Sequence, residues 1–204
     1  MSRVLLVRHG TTKLHTGDRF WGKTDIALSN TGIKQAGQLR SRLTSEKISA
    51  IYSSTLSRAR STAEIIASGH KVDVTPCDEL CECNFGYIEG LTFEEIKRLH
   101  PVLAEELSNR KMVAFPGGES LDQLNSRVQS FLKRLEKHKP KEIVLIVAHG
   151  GPIRLIICNL LGLGLEHWLQ IRVDLASLSI VETYPQTTIL SLLNDVSHLN
   201  FQVG

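Results

Sequence analysis

The sequence predicts an α/β fold in three layers, α/β/α, built around a mostly parallel central sheet. Two apolar runs carry the first part of that reading. Val4-Leu5-Leu6-Val7 and Ile143-Val144-Leu145-Ile146-Val147 are continuous rather than alternating, as strands covered on both faces are. Amphipathic helical stripes lie between and after them, and strands alternating with helices argue for a parallel sheet with helices on its faces. The chain has 204 residues, 42% apolar and 22% charged. That composition is ordinary for a globular protein and supplies a sizeable core for one domain, 1–204.

Taken in order, the first strand, over 4–7, runs into Arg8-His9-Gly10. A helix follows over Thr31–Leu43, with Ile33, Ala36, Leu39 and Leu43 on one stripe. Ala50–Ser53 reads as a strand, Ser57–Ala67 as a helix carrying Ala59, Ala63, Ile66 and Ala67, and Val72–Thr75 as a further strand. Segment 84–119, with its glycines, Pro101 and Pro116, reads as an excursion carrying two short helices. Thr92 and Glu95 stand there in capping-box spacing. Ser120–Lys137 is the clearest helix, with Leu121, Leu124, Val128, Phe131, Leu132 and Leu135 on one face, and Ser120 and Gln123 form another capping box. After the strand at 143–147, Pro152–Leu161 reads as a buried helix with proline tolerated in its first turn. Ser177–Thr183 and Thr188–Leu193 complete the strands.

The bulk properties exclude several classes of function. Net charge is +3 and the basic residues are scattered, which is not the clustered stripe of a nucleic-acid binder. No membrane span is expected. The most apolar stretch, Ile153–Leu165, is short and contains Arg154 and Asn159. Four apolar residues before Arg8 do not make a secretion signal, so a cytoplasmic protein is expected. Cys77, Cys81, Cys83 and Cys158 are spaced without a paired C-x2-C knuckle, so free reduced thiols are expected rather than zinc.

Ligands of open α/β sheets bind outside the carboxyl ends of the strands. His9-Gly10 and His149-Gly150 both stand there, each after a buried run, and glycine lets the backbone come close to a ligand. Arg58 falls in the first turn of a helix that begins at the end of a strand. A cation is unfavourable there unless an anion is bound between it and the helix N-terminus. Arg60, two residues on, faces elsewhere. The segment Glu79 to Gly90 offers three carboxyl groups, Glu79, Glu82 and Glu89, any of which suits protonation of a poor leaving group.

Together these pieces resemble the histidine phosphatase superfamily, the phosphoglycerate-mutase-like proteins, over nearly the whole chain. Arg8-His9-Gly10 matches its R-H-G motif and Leu56-Ser57-Arg58-Ala59 its L-x-R-A. The stretch from Glu82 to Gly90 matches E-x-x-F/L-G-x-x-E-G, Pro116 to Ser120 matches P-G-G-E-S, and His149-Gly150 matches the second H-G. The resemblance implies a phosphoglycerate-mutase-like fold, with His9 as phosphate-accepting nucleophile and Glu82 as the acid. Arg8, Arg58 and His149 would supply positive charge, with neither metal nor cofactor. It further implies Arg8, His15, Trp21, Gly22, Arg58, Glu82 and Gly150 as substrate-binding residues. Thr11 and His15 depart from the family's usual Glu and Asn.

The expected activity is hydrolysis of a small phosphorylated metabolite. Phe85 to Ile96 and Trp168 to Asp174 look like the alpha-ribazole phosphatase branch, which points to alpha-ribazole 5′-phosphate, and Phe20, Trp21, Phe115 and Trp168 are candidates to stack on its base. Broad-specificity phosphatases share much of this sequence. A phosphoglycerate mutase is disfavoured by the 33 residues between Glu82 and Pro116, where mutases of the family carry a longer insertion. A non-catalytic binding relative is disfavoured by the presence of all the catalytic positions. A homodimer through an exposed edge strand near the C-terminus is a further expectation.

Overall fold

The structure, a computed structural model, describes residues 2–14, 19–109 and 114–199. A six-stranded sheet forms the centre, with β1 (Ser2–Arg8), β2 (Ile48–Ser54), β3 (Val74–Cys77), β4 (Ile143–Ala148), β5 (Leu178–Thr183) and β6 (Thr188–Asp195). The strand order is β3-β2-β4-β1-β5-β6. The first four of these are mutually parallel, β5 pairs antiparallel with β1, and β6 pairs antiparallel with β5. The sheet is therefore mostly parallel, as predicted.

The continuous apolar runs have a direct explanation. Val4 and Leu6 of β1 join one buried cluster, and Leu5 and Val7 join another on the opposite face. Strand β4 divides in the same way, with Val144 and Ile146 on one side and Leu145 and Val147 on the other. Helices α1 (Asn30–Leu43) and α2 (Ser57–Ala67) cover the second cluster through Leu39, Leu43, Ala59, Ala63 and Ile66. Two short helices of the excursion, α3 (Phe93–Leu99) and α4 (Pro101–Ser108), join α5 (Leu121–Leu135) and α6 (Gly150–Leu161) over the first cluster. Both capping boxes form, with Thr92 and Glu95 opening α3 and Ser120 and Gln123 opening α5.

Two expectations need correction. Ile33 is half exposed rather than in the core. The buried face of α1 runs through Gly32, Ala36, Leu39 and Leu43, because Gly32 lies against the backbone of Thr11, where a Cβ would collide. Strand β3 lies two residues later than Val72–Thr75 and contains Pro76. Among the described residues it pairs with β2 alone, and an edge strand tolerates a residue with no N–H to donate.

The fold sets the site through register. Strands β1 and β4 are central neighbours, with Arg8 opposite Ala148, and His9 N–H donates to the Ala148 carbonyl at 3.1 Å. The two strand-end histidines therefore emerge side by side at the carboxyl edge of the sheet.

Candidate active site

At that edge lies a cavity of about 590 Å³. Arg8, His9, Arg58, Glu82 and Gly150 line it, with Phe20, Trp21 and Phe85 forming an aromatic wall. His149 is fully buried directly behind it, its ring 5.0 Å from that of His9 in an edge-to-face arrangement. The structure thus brings His9, Arg8, Arg58, Glu82 and His149 together. It also places Trp21 in the cavity wall and Gly22 beneath Arg58. His15 lies outside the described residues.

His9 is oriented by its own backbone turn. Its Nδ1 lies 2.8 Å from the Gly10 carbonyl oxygen. A carbonyl can only accept, so Nδ1 carries the hydrogen and the neutral ring keeps its lone pair on Nε2. That lone pair is the one a nucleophilic histidine uses.

Arg58, almost completely buried, is held at three donors. Its Nη2 donates to the Gly22 carbonyl at 2.7 Å, Nη1 to the Thr24 carbonyl at 2.8 Å, and Nε to His149 Nδ1 at 3.2 Å. One N–H on each terminal nitrogen remains for a ligand. The loop beneath it is clamped in turn by Glu89, whose carboxylate accepts from the Gly22 and Lys23 N–H groups and from the Thr24 hydroxyl. A Cβ on Gly22 would collide with both the Cys83 carbonyl and this carboxylate. The Asp25 carboxylate accepts from the Ser57 N–H at 2.8 Å and offsets the unfavourable cation at the start of α2. Arg60 does face away, in an exposed pair with Glu64.

The three candidate carboxyl groups separate by geometry. Glu79 lies outside the cavity, paired with Arg134, and Glu89 is committed to the loop. Only Glu82 of the three lines the cavity. Its Oε1 accepts from the N–H groups of Cys83 and Gly151, at 3.0 and 3.1 Å. Arg127 fixes the strand of chain that carries it, donating to the carbonyls of Glu79, Cys81 and Glu82 while paired with the Glu119 carboxylate.

His149 corrects one expectation, because it is not a source of positive charge in the free enzyme. Burial above all, with the nearby charges of Arg58 and Arg8, holds it well below the ordinary histidine value. A chain of hydrogen bonds fixes the same neutral form. The Asp78 carboxylate can only accept, so the Thr55 hydroxyl donates to it at 2.7 Å. The Cys81 thiol then donates to Thr55, and the Ser54 hydroxyl donates to Cys81. That leaves Ser54 Oγ to accept from His149 Nε2, at 2.8 Å, and Nδ1 to accept from Arg58. His149 therefore acts as a neutral brace for Arg58.

A stability prediction follows from the sign. The unfolded chain binds a proton at this histidine near its ordinary value of 6.5, whereas the fold refuses it. The contribution is present above that pH and is lost as pH falls from there through the lower folded value. The slope is at most one proton, about 1.4 kcal/mol per pH unit. Urea unfolding of the wild type and His149→Gln between pH 7 and 5 checks this. The difference in stability between them should shrink as pH falls, and a pH-independent difference counts against the neutral brace.

Two of the aromatic candidates are core rather than cavity. Phe115 and Trp168 are buried in the apolar cluster beneath the sheet, leaving Phe20 and Trp21 at the cavity. Residues not singled out from the sequence also line it, notably Arg19, Arg154 and Asp174. In the sequence Arg154 stands out only as a charge within an apolar stretch. Such a charge on the second turn of a helix that starts at a strand end can reach back to the rim, because helical side chains tilt toward the N-terminus. The cysteines are all free and buried, and burial pushes the thiols of Cys77, Cys83 and Cys158 up. No helix is long and apolar enough to cross a membrane among the described residues.

The fold and this cavity define a class. A strand-end histidine, two arginines and a carboxyl group at the carboxyl edge of a mostly parallel sheet form a site suited to phosphoryl transfer. The family model of the histidine phosphatase superfamily (branch 1) matches residues 4–196, and the chain belongs to that superfamily. It is 32% identical over 200 residues to phosphoserine phosphatase 1 of Hydrogenobacter thermophilus, covering 98% of this chain and 95% of that protein. A solved structure of a putative alpha-ribazole-5′-P phosphatase from Escherichia coli superposes with a TM-score of 0.86 at 28% identity, covering 95% of this chain and 96% of that one. A mycobacterial glucosyl-3-phosphoglycerate phosphatase, solved with VO3, gives 0.86 at 29% identity, with 94% and 98% covered. The protein is a phosphatase of this superfamily, a phosphoric monoester hydrolase.

Proposed function

We propose that the enzyme is a metal-independent phosphomonoesterase of small metabolites that works through a phosphohistidine on His9. The observation that carries this is the Nδ1–Gly10 hydrogen bond, which makes Nε2 the lone-pair nitrogen of a neutral His9, in a cavity with Arg8, Arg58 and Glu82. The lone pair attacks phosphorus as the bond to the leaving oxygen breaks. That oxygen takes the proton of the Glu82 carboxylic acid. Arg8 and Arg58 bind the equatorial oxygens, where transition-state charge is spread. Water then attacks phosphorus as the P–Nε2 bond breaks, the Glu82 carboxylate accepts the water's proton, and inorganic phosphate leaves with His9 neutral again.

For the leaving group, the aromatic wall of Phe20, Trp21 and Phe85 supports alpha-ribazole 5′-phosphate, and with it a place in cobalamin biosynthesis. The charges on the same wall favour a small acidic ester instead. The free, buried thiols support a cytoplasmic setting, and the exposed residues Ile189 and Leu193 of edge strand β6 support a homodimer paired there.

Phosphate release from 4-nitrophenyl phosphate in the presence of a chelator tests the reading, followed by a metabolite screen that includes alpha-ribazole 5′-phosphate and O-phosphoserine. Turnover without metal is expected. Activity that requires priming by 2,3-bisphosphoglycerate would make the protein a mutase, and no activity under either condition a binding relative.

A further inference from the structure

Three guanidinium groups line the cavity without a carboxylate within 4.0 Å among the described residues: Arg8, Arg58 and Arg154. By contrast Arg19, on the same wall, is paired with Glu95. Asp174 also lines the cavity, but it is engaged by Arg172 and by the side-chain amide of Asn194. Charge accounting then leaves one group over. A phosphoryl dianion is matched by Arg8 and Arg58. Glu82 must be neutral when it delivers its proton, so at that moment it no longer offsets Arg154. Asp174 then remains as its nearby negative charge, but that carboxylate is already shared with Arg172 and Asn194, so a partly desolvated Arg154 still favours a further anion, which the substrate can supply.

Geometry says which end of the substrate is concerned. Arg154 Nη1 lies 3.0 Å, and Glu82 Oε2 3.7 Å, from the point where a Cβ on Gly150 would sit. The guanidinium thus lies on the same side of Gly150 as Glu82, the group proposed to protonate the leaving oxygen. Its Nε is spent on the Ile171 carbonyl at 2.8 Å, which aims the fork and leaves the terminal nitrogens as donors. A planar fork of this kind matches a carboxylate.

We propose that Arg154 forms a second anion subsite that takes a carboxylate carried by the leaving group of the substrate. The proposal rests on the phosphatase reading of the same cavity. It makes phosphomonoesters of small hydroxy acids, O-phosphoserine and 3-phosphoglycerate among them, better substrates than their carboxylate-free counterparts.

The test compares matched pairs, O-phosphoserine against O-phosphoethanolamine and 3-phosphoglycerate against glycerol 3-phosphate. The wild type should favour the carboxylated member of each pair in kcat/KM, chiefly through KM. In Arg154→Met that preference should fall by about 10- to 100-fold, the usual effect of losing a charged hydrogen-bonding partner, and Arg154→Lys should restore part of it. A proportional loss on both members overturns the subsite, since Arg154 would then serve the phosphoryl group or Glu82. If the variants do not fold, a wild type that shows no preference in either pair overturns it equally. Hydrolysis of 4-nitrophenyl phosphate, lost in His9→Ala, reports the phosphatase reading separately.

Discussion

Replacing His9 with alanine is expected to lower kcat by at least about 10⁴-fold on every phosphomonoester, the scale on which loss of a covalent nucleophile is felt. The same variant should still bind inorganic phosphate in a calorimeter. Arg8 and Arg58 are positioned by carbonyl groups of Val173, Gly22 and Thr24 and do not depend on the His9 side chain. The prediction therefore separates chemistry from binding. A His9→Ala enzyme that retains turnover would mean that water attacks phosphorus directly. One that loses phosphate binding together with activity would mean that the site has collapsed.

The second large effect concerns Glu82. Glutamine keeps its shape, and its carbonyl oxygen can still accept from the Cys83 and Gly151 N–H groups, but it has no proton to give. A positioned general acid contributes about 10²- to 10⁴-fold, and a loss of that size is expected for Glu82→Gln on alkyl phosphates. An aryl phosphate, with a better leaving group, should lose much less in the first step. Its second step needs the Glu82 carboxylate as base, so the phosphoenzyme should accumulate. Equal losses on alkyl and aryl substrates, without accumulation, would remove Glu82 from the acid role. The comparison is made by pre-steady-state release of 4-nitrophenol against phosphate release.

Much of the fold was legible because the two strands that matter, β1 and β4, are covered on both faces and show it as unbroken apolar runs. The helices α2 and α5 showed their buried stripes for the same reason. Ile33 and β3 depart from the sequence pattern because their states depend on tertiary partners. A glycine contact with Thr11 turns α1, and an edge position excuses Pro76. At the site, the strand ends and the glycine after each histidine pointed to His9 and His149, while only the resemblance selected Glu82 from its two neighbours. The brace of His149, the clamp of Glu89 and the anchoring of Arg127 were hidden. Each consists of hydrogen bonds to groups distant in the chain, as in Arg58 to His149 across 91 residues, and no periodicity or spacing records them. The same is true of the charge of His149, which depends on burial and on an ordered relay through Ser54, Cys81, Thr55 and Asp78.

In the proposed reaction phosphorus passes to one atom of one side chain, His9 Nε2. Glu82→Gln, mixed with 4-nitrophenyl phosphate and quenched at alkaline pH, should yield a phosphorylated protein whose label maps to His9 by peptide mass spectrometry. Phosphorus NMR of the intact, denatured adduct should identify it as the Nε2 phosphoramidate, because Nδ1 is committed to the Gly10 carbonyl. A label on Nδ1, a label on another residue, or steady turnover of the wild type with no phosphoenzyme on any timescale would contradict the account.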